Sequence, residues 1–147
     1  MKIRLSDNPF VPPGWDVLQH KDFGIWDSLE SLKLTPYISA PQANDIKITG
    51  HSLLIEIQNL FPINANLLDF FIDNQSEIPD SIKELCPLFF MGTIYFDETG
   101  RECVRCLCHS IIDGEEKLYW RWRWLSDYWR KNNPVLMLKN FHESLVW

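Results

Sequence analysis

The sequence predicts an α+β fold: a single domain over residues 1–147 in which an antiparallel sheet, with a three-stranded meander at about 89–129, is packed by N-terminal, middle and C-terminal helices. Three observations predict it. The stretch FFMGTIYF, DETG, RECVRCLCHSII, DG, EEKLYWRWRWLSDYW is three β-rich runs separated by two turn signals. Its third run alternates Trp120, Trp122 and Trp124 with Arg121 and Arg123, so an extended strand puts the indoles on one face and the guanidinium groups on the other. Helical spacings elsewhere are mixed with strands without regular βαβ alternation, which favours α+β over α/β.

The elements follow in chain order. Lys2 to Leu5 alternate as a short edge strand, and Asn8-Pro9 with Pro12-Pro13-Gly14 force a turn before Trp15, Val17 and Leu18 return the chain to the body. Phe23, Trp26, Leu29 and Leu32 sit near helical spacing, with Asp22 as N-cap and Pro36 beyond the end, which predicts a helix over 22–34. TPYISAPQAND, broken by two prolines, reads as a loop. DIKITGHSLLIEIQN alternates Ile46, Ile48, Leu53, Ile55 and Ile57 with polar neighbours and reads as one or two strands kinked at Gly50. Asn64 or Asn66 caps a helix whose stripe is Leu67, Leu68, Phe71 and Ile72; Asp80 or Ser81 opens another, with Ser81 and Glu84 at capping-box spacing. Asn133-Pro134 has the chemistry of a helix start, followed by Val135, Leu138, Phe141, His142 and Leu145 on one side. In the meander, a two-residue turn at Asp113-Gly114 sets Cys108 opposite Tyr119, Cys106 opposite Arg121, Leu107 opposite Trp120 and Arg105 opposite Trp122. The Trp face, the larger apolar area, is then the core face, with Arg105 against Trp122 as a cation-π contact and the alternate Arg residues outward.

The totals bound the function. A domain of 147 residues buries roughly 70% of the surface its unfolded chain exposes, and 46% hydrophobic with 23% charged residues is a folding composition. A formal charge of −6 repels a phosphate backbone, so no nucleic-acid partner is expected despite the Trp-Arg alternation, and basic protein partners are favoured. MKIRLSDNPFVPPGW lacks the apolar stretch of an export signal and no run approaches the ~20 apolar residues of a membrane span, so a cytoplasmic chain with no membrane partner is expected. Cys103, Cys106 and Cys108 crowd into six positions and, with Cys86, read as reduced thiols.

Chemistry is sparse. Cys103-x-x-Cys106 is half of a zinc site, with Cys108, His109 or Cys86 as further ligands; in a strand, however, Cys106 and Cys108 share one face while Cys103 and His109 share the other, so neither metal nor cofactor is expected. A redox pair would sit at a helix start, which this is not. His20, His51, His109 and His142 lie in unrelated contexts and no catalytic motif occurs, so no enzyme activity is expected. The two hairpin tips stand out. Asp97, Glu98 and Glu102 surround the first; Asp113, Glu115 and Glu116 surround the second; Tyr119, Tyr128 and Trp129 are candidate aromatic anchors. These nine are the expected partner-binding residues.

A small, acidic, Trp-rich chain with reduced Cys, an IYFDETG-type hairpin and no catalytic motif resembles the immunity proteins that bacteria make against contact-dependent and other polymorphic toxins. The resemblance implies a cytoplasmic, non-catalytic protein that binds and neutralises a cognate toxin domain, often a nuclease with a basic cleft. The alternative expectation is a small-molecule-binding or enzymatic α+β domain with a pocket beside the Trp strand, where His109 and Arg105 converge; a metal-dependent regulator built on Cys103, Cys106 and Cys108 is a third.

Overall fold

A computed structural model describes residues 2–139, and its centre is the long strand β8 (Glu102–Ile112), which has neighbours on both edges. On one edge lies β9 (Glu115–Trp124), joined by Asp113-Gly114 with φ of 53° and 78°. Positive φ at both central residues is the type I′ turn whose twist matches the flanking strands. The resulting pairs include Cys108 with Tyr119, Cys106 with Arg121, Leu107 with Trp120 and Arg105 with Trp122. On the other edge, β8 is met by two consecutive short strands, β6 (Leu88–Phe89) at Cys106–Leu107 and β7 (Thr93–Phe96) at Glu102–Cys103.

The break between β6 and β7 splits the sheet. Gly92 sits where the backbone of Pro62 to Asn64 crosses; a Cβ there would lie 2.4 Å from the Pro62 carbonyl oxygen, so no side chain fits. Beyond β7 the sheet continues to β2 (Asp16–His20); beyond β6 it continues to β11 (Val135–Leu138) and β4 (Leu34–Tyr37), and the whole curls. The β6–β11 pairing is parallel, so the sheet is mixed rather than antiparallel throughout. Two small ribbons flank it: β1 (Ile3–Arg4) with β3 (Ile25–Trp26), and β5 (Ile48–Thr49) with β10 (Tyr128–Trp129).

Both faces of β8 are covered. On one, Leu67, Leu68 and Phe71 of α3 (Ala65–Asp73) pack with Leu88, Phe90, Leu107 and Leu136. On the other, Leu53 and Ile57 of α2 (Gly50–Ile57) pack with Phe89, Val104, Cys106, Cys108 and Trp129. Residues Cys103 to Cys108 are therefore all buried, and the expected division into a Trp core face and a wet Arg face is corrected. The indoles of β9 are the less enclosed set. Trp122 is 39% exposed, Trp120 and Trp124 are half-buried, and Trp15 packs edge-on against Trp120 and Trp122.

Arg105 carries a charge into the interior. It is fully buried, and its two terminal nitrogens donate to the two carboxylate oxygens of Asp69 on α3 at 2.9 and 2.8 Å. Its guanidinium lies 4.3 Å from the Trp120 ring centre and 5.1 Å from that of Phe10, so the cation-π partner is the diagonal Trp120 instead of the directly opposed Trp122. A bidentate carboxylate with aromatic walls is the environment in which a guanidinium tolerates loss of water.

Several sequence expectations give way to local physics. Residues 22–34 form β3, a turn and the start of β4 instead of a helix: Gly24 takes φ 78° with its N–H donating to the Asp22 carboxylate, and Ser28 caps a turn at Ser31. Side chains that satisfy nearby backbone compete with helix formation. The loop expected near Pro41 holds α1 (Ala40–Ala43), closed by a capping box between Ser39 and Gln42. The strand expected over 53–57 is α2: Thr49 accepts from the Ser52 N–H as N-cap, Leu53 and Ile57 point inward one turn apart, and Ile55 is 66% exposed. Asn64 caps α3, and a short helix α4 (Asp80–Lys83) follows Pro79 without a side-chain cap. The C-terminal helix fails at its start, because Val135–Leu138 is strand; its Phe141, His142 and Leu145 lie outside the described residues.

Removing Asp69 leaves the Arg105 charge buried without its carboxylate, a change that typically costs ~3–5 kcal/mol. Asp69→Ala is expected to lower unfolding stability by that order in urea titration, and Arg105→Met combined with Asp69→Ala to recover part of the loss.

Candidate functional site: the β8–β9 hairpin and the cleft along its outer strand

The two acidic tips differ in kind. At the first, Asp97 is buried and accepts from the Thr99 N–H, the Thr99 hydroxyl and the Arg101 N–H on one oxygen, and from the Trp124 indole N–H at 2.7 Å on the other. These donors, led by the Thr99 hydroxyl and the Trp124 indole, hold its carboxyl well below the usual carboxylate range. Arg101 lies 3.5 Å over the Trp124 ring and donates to Ser126. Glu98 accepts the Trp15 indole N–H at 2.8 Å, and Glu102 lies 3.4 Å from His51. This tip is a clasp that fastens β9 and the N-terminal segment to the turn. Asp97 is thus corrected from a docking group to a structural one.

The second tip is open. The last three pairs of the hairpin, Ser110–Lys117, Ile111–Glu116 and Ile112–Glu115, lie past the last residue of β8 that β6 or β7 reaches. Ile111 is 71% and Ile112 51% exposed, one on each face of the arm, and Asp113 and Glu115 are exposed beside them. Glu116 is occupied by the Lys83 ammonium, which holds its carboxyl below the ordinary range, and lies 3.2 Å from His109. Tyr119 is exposed and shares a hydrogen bond with Ser110. Of the remaining expected anchors, Tyr128 is exposed beneath Lys47, whereas Trp129 is fully buried against Phe89 and is corrected to a core residue. The nine residues therefore do not form one surface. Glu115, Asp113 and Tyr119 share the arm; Asp97, Glu98 and Glu102 belong to the clasp.

Two hollows border β9, the strand beside which the alternative sequence reading expects a pocket. One, of about 460 Å³, has Cys86, Cys106, Cys108, His109, Arg121 and Arg123 in its walls; the other, about 490 Å³, follows Trp120 to Trp124 with Asp127. Arg123 is half-buried, stacked on Phe89 and Trp129, and donates to the Tyr128 carbonyl and the Asn133 side chain; Arg121 is exposed. The Cys106 and Cys108 sulfurs are 3.9 Å apart. The hydrogen bond shared with Cys106, aided by the Arg121 and Arg123 charges, lowers the Cys108 thiol from its ordinary value, while burial pushes Cys86 and Cys103 up to about 12. Cys103 packs with Tyr95 and Trp15 on the opposite face, so the sheet separates it from the Cys106–Cys108 pair. Arg105, bound to Asp69 on that face, does not converge with His109 in this cleft. Among the described residues no group of three or more His, Cys, Asp and Glu side chains is placed to hold a metal ion, and no helix is long and apolar enough to cross a membrane.

No family model, curated protein or solved structure matches the chain.

Two outcomes follow from this geometry. Iodoacetamide labelling followed by peptide mass spectrometry is expected to modify Cys108 ahead of Cys86 and Cys103, its rate rising with pH through a midpoint below that of an ordinary thiol, which Cys106→Ala shifts upward. Because the Asp97 carboxyl is depressed in the fold, its stabilisation is present above the ordinary carboxylate pKa and is lost as pH falls. Asp97→Asn is therefore expected to lower the melting temperature at pH 7, with the gap to the parent chain narrowing below about pH 4.

Proposed function

We propose that this chain is a non-catalytic protein-binding module of the immunity type, which binds and neutralises a cognate bacterial toxin domain. The observation that carries the reading is the β8–β9 arm. Two isoleucines stand exposed on opposite faces of a rigid ribbon, with Asp113 and Glu115 beside them. Apolar side chains left largely exposed are the anchors an interface desolvates, and carboxylates beside them steer encounter with a basic surface. The type I′ turn and register fix the arm before binding, so little ordering cost is incurred when it docks. A basic cleft, as in a nuclease, is the surface this tip fits.

The small-molecule alternative rests on the cleft beside β9, where Cys108 and Arg121 line a polar wall. Arg105, one of the two groups that reading required there, is committed to Asp69 on the far face, which favours the protein-binding reading.

The test is co-purification with a toxin domain encoded directly upstream, and protection of cells expressing it. Ile111→Asp with Ile112→Asp is expected to weaken binding by at least about thirtyfold, the scale of a lost hot spot of roughly 2 kcal/mol, without changing the melting temperature. Full protection by that variant, or failure of the neighbouring domain to bind the parent chain, would sink the proposal.

A further inference from the structure

The second feature of β9 is its unpaired side. β9 is bonded to β8 along one edge, and among the described residues no strand is bonded to the other. In an antiparallel pair every second residue turns its N–H and C=O away from the partner. Two bonds identify which residues these are. The Leu118 carbonyl accepts from the Gln75 side chain at 3.3 Å, and the Trp124 carbonyl accepts from the Asp127 N–H at 3.0 Å. Residues 118, 120, 122 and 124 therefore face outward. The two ends of this row are capped, and the backbone groups of Trp120 and Trp122 between them are presented to an incoming strand.

The walls on either side of that backbone have opposite character. Arg121 and Arg123 project to the face of the thiol hollow, and the Trp120, Trp122 and Trp124 indoles to the other, with Trp122 the most exposed of the three. Side chains of an added strand alternate between the same two faces with period two. One set would meet the exposed Arg121 guanidinium, since that of Arg123 is turned inward over Phe89 and Trp129, and the other the edge of the indole row. Asp127 is the one carboxylate lining the hollows, so the arginines outnumber it two to one. A second copy of this chain is the wrong occupant, because pairing β9 with itself brings the arginines of both copies together, a like-charge arrangement that discourages edge-to-edge association.

We propose that the outer edge of β9 is a strand-addition site for an extended segment of a partner protein in which carboxylate and apolar side chains alternate, with a carboxylate on Arg121 and the apolar side chains on the Trp122 side. Main-chain bonds to Trp120 and Trp122 supply affinity and the two walls supply register. The site does not depend on the toxin-neutralising reading, since the arm and the edge carry different surfaces of opposite charge.

The experiment uses the full chain, isotopically labelled, with two synthetic octapeptides as probes: one alternating glutamate with valine, the other lysine with valine. The glutamate peptide is expected to slow amide hydrogen exchange of Trp120 and Trp122 at least tenfold while leaving Ile111 and Ile112 unchanged, and the lysine peptide to leave all four unchanged. Arg121→Glu, at an exposed position, is expected to reverse that preference. Equal protection by both peptides, or none by the glutamate peptide at saturating concentration, would overturn the proposal. So would slow exchange of the two amides without peptide: if it weakens on dilution the edge belongs to a second copy, and if it does not, to the chain's own remaining residues.

Discussion

The constraint on which the rest of the structure depends is the burial of Arg105 against Asp69. A guanidinium enters a protein interior only if its charge and donors are met there, and a single helical carboxylate 36 residues earlier in the chain meets the two terminal nitrogens. That requirement fixes α3 over β8 in one register. A slip of one residue along the strand would exchange Arg105 for Val104 or Cys106, which belong to the opposite face. The same guanidinium lies between Trp120 of β9 and Phe10 of the N-terminal segment, and the Phe10 carbonyl accepts the Tyr95 hydroxyl at 2.9 Å. One ion pair therefore ties together a helix, three strands and an otherwise irregular stretch. Among the described residues its Nε has no hydrogen-bond partner, so the site is held chiefly by the carboxylate and the aromatic walls.

The hairpin that carries Arg105 is enclosed at one end and bare at the other. Near Glu102 it is fastened by the Asp97 clasp, and from Cys103 to Cys108 both faces are packed. Beyond His109 the neighbouring strands have ended, and among the described residues the cross-strand pairs are joined by the Lys83–Glu116 ion pair. That end is held by the backbone ladder and the type I′ turn. The exposed carboxylates Asp113 and Glu115 and the exposed Arg121 lie on one ribbon.

What was legible in the sequence was mostly local. Asp113-Gly114 dictated the turn and hence the opposition of Arg105 to Trp122, and Asn64 announced α3, because turn and cap chemistry act within a few residues. The readings that failed needed distant partners. Leu53, Ile55 and Ile57 alternate as a strand would, yet the chain uses only Leu53 and Ile57, since Gly50 lets the start of α2 press against the Trp129 ring, where a Cβ would come within 2.5 Å. Val135 to Leu138 became a strand because β6 and β4 offer it two edges, which the helical spacing of its apolar residues could not reveal. The capping box at Ser39 and Gln42 was present in the letters and was outweighed by the prolines around it. For the candidate site, period two placed Cys106 and Cys108 on one face, away from Cys103, and found the acidic residues. It could not distinguish a carboxylate clasped from within, as Asp97 is, from one left to solvent, as Glu115 is. Trp129 was similarly ambiguous: an indole near a strand end serves equally well as an anchor outside or a plug inside, and the long-range contact with Phe89 decides which.

The three terminal pairs of the hairpin contribute no core. Changes at Ile111, Ile112, Asp113 or Glu115 alter what the ribbon meets and leave the folding problem untouched, because neither Arg105 nor either packed face extends that far. Such an arrangement separates the part of a sequence that must stay from the part that is free to drift. A lineage built on it can vary its tip by successive substitutions, while the scaffold beneath is inherited unaltered.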